Sequence, residues 1–287
     1  MHNIPIDSIR LHTLHIGFCH HDGDWNWKNV RSPFARLYYV TEGTAQVIMP
    51  SGIKTLRPGY MYFIPAYTMH SDVCTSIFSH YYIHVYETPD CDISIFEELD
   101  FPFEVQGSPI DLELMKRLVA MNPQMHVPQS NPATYDNRES LLTNLCINKN
   151  RSLNEKMESR GTVYILMSRF LKLAERKEKI GDDRIQKIVN YIRHHINDVL
   201  DIGVLADRSF MSKDHFIRVF RQQVGLTPNA YIMHKKMERA ELLLISSDIP
   251  IKQISHNLGY DDQSYFAKLF RKHAGLTPKQ YRAVHQQ

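Results

Sequence analysis

The stretch "FIRVFRQQVGLTP" from Phe216 comes back as "FAKLFRKHAGLTP" from Phe266, with Phe, Phe, Arg, Gly, Leu, Thr and Pro in one register. Such a duplication requires the C-terminal end to build one supersecondary unit twice. Ahead of each copy the pattern reads as a short helix, a turn and a second helix. In "DIGVLADRSFMSKDHFIRVFRQQVG", Val204 and Leu205 are apolar anchors, Ala206 is small enough for close packing and Ser212 can cap the next helix. In "IPIKQISHNLGYDDQSYFAKLFRKHAG", Ile251 and Ile254 anchor, Ser255 is the small residue, Gly259 makes the turn, and Asp261 or Asp262 caps. "GLTP" then ends one helix at Gly and opens another with Thr as cap and Pro in its first turn. Between the copies, "NAYIMHKKMERAELLLISS" is long enough to form one helix holding the two units at a fixed distance.

Helical spacing sorts the second helix of each unit into two faces. Phe216, Val219 and Phe220 share one face, while Lys213, Asp214, Ile217, Arg218 and Arg221 point away from it. The other copy buries Phe266, Leu269 and Phe270 and presents Gln263, Ser264, Ala267, Lys268 and Arg271. Long donors, small residues and amide or carboxylate groups on such a face can read base edges in a major groove, while Arg and Lys neutralise phosphate. The charge distribution agrees. Residues 182–287 carry 16 Lys and Arg against 11 Asp and Glu, whereas the whole chain is only +3.

At this point the residues resemble a known family. "YDDQSYFAKLFRKHAGLTPKQYR", residues 260–282, is similar to the family pattern of the AraC/XylS transcriptional regulators, and the resemblance covers roughly the last hundred positions. It implies two helix-turn-helix units joined by one long helix, each placing its second helix in a successive major-groove segment of double-stranded DNA. RNA polymerase is a further partner to expect of such a regulator. Asp214 and Ile217 depart from strong DNA donors, which shifts the first unit's reading to Lys213 and Arg218.

A chain of 287 residues with 43% apolar residues divides more naturally into two domains than one. The charged run "AERKEKIGDDR" places the boundary near Gly181, giving domains 1–180 and 181–287. No signal-peptide pattern or membrane-length apolar run occurs, so the expected location is the cytoplasm. The four cysteines are far apart and read as reduced thiols.

Residues 36–86 read as short β-strands with close turns at Gly43, Pro50 to Gly52 and Arg57 to Gly59, a small antiparallel barrel or sandwich. Helices follow in "DLELMKRLVAM", "RESLLTNLCI" and "GTVYILMSRFLKLAER". The last carries two apolar stripes, Val163, Leu166, Phe170, Leu173 and Tyr164, Met167, Leu171, Ala174. Two stripes ask for two partners: the protein's own β-domain and a second subunit, so a homodimer through residues 160–178 is expected. Burial of both stripes within one domain is the other reading. "YYVTEGTAQVIMPSGIKTLRPGYMYFIPAYTMH" resembles the cupin-like sensing domain of the same family, which implies a barrel holding a small effector, often a sugar or similar metabolite. The expected fold class is α+β: a cupin-like antiparallel barrel with helices, then an all-α domain.

On the strand "HYYIHVY", His80, Tyr82 and His84 alternate and so share one side, supplying donors and a ring to a polar ligand if that side is internal. Trp25 and Trp27 could stack on a sugar or serve in packing. His20, His21 and Asp22 could chelate a metal from a loop. A metal cupin uses His-x-His, a Glu and a third His, and although His70 falls where the third would, the strand "TAQVIMPSG" holds no histidine. No metal and no cofactor is therefore expected, and no catalytic residue. The competing classes are a metal-dependent cupin enzyme with an appended helical domain, and a scaffold whose repeats bind protein.

Overall fold

The computed structural model describes residues 4–87, 94–127, 129–132, 150–177, 182–247 and 249–284. The chain divides into two compact units, the first ending at Glu175 and the second spanning Arg176–Val284.

The N-terminal unit is built from antiparallel strands β1 (Leu11–Asp22), β2 (Trp27–Val30), β3 (Ala35–Gly43), β4 (Ala45–Met49), β5 (Gly52–Leu56), β6 (Tyr60–Ile64), β7 (His70–Val73) and β8 (Ile77–Glu87). The short helix α1 (Ile95–Glu98), β9 (Leu99–Asp100) and β10 (Glu104–Gln106) follow. One sheet runs β1-β8-β3-β6-β10 and the other β2-β7-β4-β5. Helices α2 (Pro109–Met121) and α3 (Leu153–Leu171) complete the unit.

The central strands of the five-stranded sheet are buried on both sides. Leu37, Tyr39, Ile83 and Val85 point to a core shared with Met115, Leu118, Val163, Leu166 and Phe170 of the helices. The alternate residues Arg36, Tyr38, His80, Tyr82 and His84 are just as buried, and alternation turns them to the opposite face, towards the second sheet. Ser108 and Asp111 form a reciprocal capping box at the start of α2. Asp111 also accepts from Arg169 Nε at 2.9 Å, tying α2 to α3.

The α3 region corrects the expected stripes. Both find partners at home: Val163, Leu166, Met167, Phe170 and Ala174 are buried in one core, and Tyr164 and Leu171 pack against it. The helix ends at Leu171, five residues before the expected end, and the turn that follows folds Ala174 inward and leaves Leu173 exposed. The exposed apolar side chains on α3 are Leu153, Met157 and Ile165, which share an i, i+4 row with Gly161. The expected helix over "RESLLTNLCI", residues 138–147, lies outside the described residues, as do Cys91 and Cys146.

The C-terminal unit is helical: α4 (Asp183–His194), α5 (Ile202–Arg208), α6 (Lys213–Val224), α7 (Pro228–Ser246), α8 (Ile251–Asn257), α9 (Gln263–Ala274) and α10 (Pro278–Val284). It holds two apolar cores. Ile185, Ile188, Leu205, Phe216 and Phe220 belong to the first together with Tyr231 and Ile232 of α7. Met237, Ala240 and Leu244 of the same helix belong to the second, with Ile254, Leu258, Phe266 and Phe270. One helix thus serves both cores in succession, the role expected of the connector.

Candidate nucleic-acid interface and barrel interior

The repeat in sequence is a repeat in surface. From Ser212 to Gly225 and from Asp262 to Gly275, burial follows the same pattern position by position: Phe216, Phe220, Phe266 and Phe270 are sealed, and the intervening polar residues are exposed. Gly225 and Gly275 close α6 and α9 at φ 80° and 77°, a left-handed conformation in which a Cβ is strained. Asp262 caps α9 by accepting from Ser264 N at 2.7 Å and Tyr265 N at 3.2 Å. Ser212 stands at the equivalent position of α6, but its hydroxyl makes no capping bond. Thr227 does cap α7, with Pro228 in the first turn.

Of the residues proposed to read DNA, Lys213, Asp214, Arg218, Arg221, Gln263, Ser264, Lys268 and Arg271 are exposed. Ile217 and Ala267 are half-buried, and Ile217 packs partly on the first core. Asp214, Ile217, Arg218 and Arg221 line one open hollow of about 530 Å³ with Gln222 and Thr227. Arg218 Nη2 lies 3.0 Å from His215 Nδ1, so the imidazole can accept from the guanidinium and steer it. His215 and its counterpart Tyr265, 54% exposed, stand on the same surface and were missed by a search for long basic donors. Their position one residue before each first buried Phe is the signal that could have found them.

Two observed differences qualify the helix-turn-helix anchors. Val204 is 50% exposed, leaving Leu205 and Ala206 to pack the first unit, and Ile251 is half-buried where Ile254 is sealed.

Comparison with known proteins matches this part of the molecule. Residues 205–283 fit the family described as "Helix-turn-helix domain". The probable transcriptional regulator LumQ of Photobacterium leiognathi is 29% identical over 104 residues, 36% of this chain and 42% of that protein. The arabinose operon regulatory protein of Escherichia coli K12 is 31% identical over 102 residues, 35% of each chain. Residues 205–283 are a helix-turn-helix domain, similar to that of AraC-type regulators. The solved DNA-binding domain of AdpA, in complex with a target DNA, is 27% identical to this chain over a match covering 37% of it and 95% of that one, with a TM-score of 0.36. The match spans less than half the length of either curated relative named here.

Between the two sheets of the N-terminal unit lies a dense polar interior. His80, Tyr82 and His84 are all buried, and Trp25 joins them, its ring 5.4 Å from that of His80. Trp27 is half-buried at the start of β2, opposite Asp72, and its indole N–H has no hydrogen-bond partner among the described residues. Gly17 faces Tyr82 across β1 and β8, and a Cβ there would sit 2.2 Å from the phenol oxygen. That oxygen accepts from Val127 N at 2.8 Å.

The strand pairing adds residues that sequence reading did not assemble. His15, His84 and Arg36 are register neighbours across β1, β8 and β3, with His15 and His84 sharing a 3.0 Å Nδ1 to Nδ1 contact. Arg36 Nη2 donates to Ser32 Oγ at 2.6 Å, and β7 contributes His70 and Asp72. Burial drives the imidazoles neutral: His15 and His80 fall to about 3, His70 to about 4, and His84 well below its ordinary value. Burial also pushes the Asp72 carboxyl up to about 7 against the pull of Arg36. His21 Nε2, His70 Nε2, His80 Nδ1 and Asp72 Oδ1 are buried without hydrogen-bond partners among the described residues, His70 Nε2 and Asp72 Oδ1 standing 3.9 Å apart.

His20, His21 and Asp22 do not converge as a chelate, because β1 runs through them. Alternation sends His21 inward to Asp24 and leaves His20 on Ser79 and Asp22 exposed. Among the described residues, no group of three or more His, Cys, Asp or Glu side chains is arranged to hold a metal ion.

Proposed function

We propose that this chain is a sequence-specific DNA-binding transcriptional regulator that responds to a small polar molecule, a sugar or related metabolite. The observation that carries the reading is the doubled reading helix: α6 and α9 repeat the same burial and expose basic and amide side chains from each. The AraC-type match over 205–283 supports it. Arg218 and Gln263 are assigned to base edges, with Lys213, Asp214, Ile217, Ser264, Ala267 and Lys268 beside them and Arg221 and Arg271 towards phosphate.

The N-terminal unit is the sensor in this reading. Unpartnered buried nitrogens and a carboxylate oxygen between the sheets are costly, and a ligand rich in hydroxyl groups both donates and accepts and so offsets that cost. Trp25, Trp27, His80, Tyr82 and His84 are assigned to it. The chain is proposed to act in the cytoplasm as a homodimer joined through the 160–178 region, where, with both stripes buried, the contact falls to exposed Ile165 and to Leu153 and Met157 on the same row before it, and to contact RNA polymerase from the promoter.

Selection of bound fragments from random double-stranded DNA by the full chain tests the reading. Enrichment of one site with two separated base clusters is expected. Retention of all sequences alike would count against a sequence-specific regulator.

A further inference from the structure

The two cores of the AraC-type domain meet at a single buried ammonium. Lys236 lies on α7 between Ile232, which packs in the first core, and Met237, which packs in the second. The residue is 5% exposed. Nζ donates to Asp198 O at 2.8 Å, in the turn between α4 and α5, and to Leu258 O at 2.6 Å, at the C-terminus of α8. It also stands 5.2 Å from the centre of the Tyr260 ring. One carbonyl lies in the α4–α5 turn that leads into the first helix-turn-helix unit, and the other carbonyl and the ring belong to the second unit.

Gly259 completes the junction. Its φ is +73°, and a Cβ built there would lie 3.1 Å from Lys236 Nζ, 3.3 Å from Asp198 O and 3.4 Å from Asn197 O. The backbone of the turn after α8 therefore approaches that of the α4–α5 turn closely enough that a Cβ would be tight against it, and the ammonium lies beside both. A buried lysine is expensive unless its donors are used, and here they are used across the boundary between the units.

We propose that Lys236 is a positioning residue: by bonding the carbonyl of Asp198 in the turn that leads into the first helix-turn-helix unit and that of Leu258 in the second, it fixes the relative orientation of α6 and α9 and so the base-pair spacing at which both read DNA together. It touches no base in this account and acts through the two helices. The inference rests on the DNA-binding reading for its consequence, but the orientation itself is measurable without DNA.

The test uses the full chain carrying Lys236→Met, whose stem is of similar length without donors, and Lys236→Gln, which keeps a donor amide on a shorter stem. Residual dipolar couplings of the backbone amides in Lys213–Val224 and Gln263–Ala274 report the angle between α6 and α9 in free protein. In wild type one rigid orientation should fit both helices. In Lys236→Met the couplings of one helix should shrink relative to the other, with Lys236→Gln intermediate. Binding is then titrated on the selected site and on versions with the cluster spacing changed by one or two base pairs. Wild type should prefer its own spacing by tenfold or more, and Lys236→Met should flatten that preference while binding a single cluster unchanged. Couplings that still fit one rigid body in both variants, or an affinity loss equal at every spacing, would overturn the proposal. If wild type shows no specific site, the DNA-binding reading fails, while the couplings still decide the role of Lys236. Should Lys236→Met fail to fold, Lys236→Gln carries both measurements.

Discussion

Lowering the pH from 7 to 5 should destabilise the N-terminal unit by an amount that follows from its buried interior. His15, His70, His80 and His84 are held neutral when folded, while in the unfolded chain each titrates near 6.5. Their folded values are depressed, so the stability they confer is intact above about 6.5 and is lost as the pH falls, because only the unfolded state takes up the protons. Each costs about 2 kcal/mol by pH 5, about 8 for the four. Asp72 and Glu87 act the other way. Both are pushed up to about 7 by burial, so both are destabilising above that pH and regain about 2 kcal/mol each on acidification. The net expectation is a loss of about 4 kcal/mol. The chain's two tryptophans, Trp25 and Trp27, both lie in this unit, so urea unfolding followed by tryptophan fluorescence reports on it alone. The midpoint should fall between pH 7 and 5, and His80→Phe, among the rings of Phe78, Trp25 and Tyr38, should reduce the loss to about 2 kcal/mol. A midpoint that is flat or rises on acidification would refute the reasoning, as would an unchanged pH dependence in His80→Phe.

Gln263→Ala should cost about 1 to 3 kcal/mol at the specific site and relax preference at one base position, whereas Arg271→Ala should weaken specific and scrambled DNA alike; equal losses on both for Gln263→Ala would remove it from base reading. Asp262→Ala deletes the cap of α9 and should lower stability by about 1 kcal/mol in thermal melts, but Ser212→Ala, whose hydroxyl makes no capping bond, should change little; equal effects would contradict the difference seen between the two caps. Residues 182–287 alone should give a helical circular dichroism spectrum and bind DNA weakly, since both helical cores close within them, and an unfolded fragment would contradict that.

The doubled helices were legible because their burial is local. A Phe every fourth residue on an amphipathic helix fixes which face turns inward, whatever packs on it, and Gly and Thr-Pro mark the ends chemically. Val204 misled because a short helix seals with Leu205 and Ala206 alone. Tyr265 and His215 were passed over because neither is a cationic donor. In the N-terminal unit the alternation of His80, Tyr82 and His84 was visible on one strand, but their neighbours were not. Arg36 and His15 reach His84 only through pairings of β3 and β1 with β8, and a pairing register is set by long-range packing that one sequence does not print. The stripes on α3 were correctly apolar, yet periodicity cannot say that a single core absorbs both.

The most direct test of the account is the spacing of the two reading helices on DNA. Two recognition helices fixed to one connector enter the major groove from the same side only when their contacts lie about one helical turn apart, roughly 10 to 10.5 base pairs. Inserting five base pairs between the two clusters of a selected site turns one cluster to the opposite face of the duplex. Affinity for that DNA should fall to the value measured for a site with only one cluster. Affinity equal to that of the uninterrupted site would contradict the account, because it would mean that one of the two copies never touches DNA.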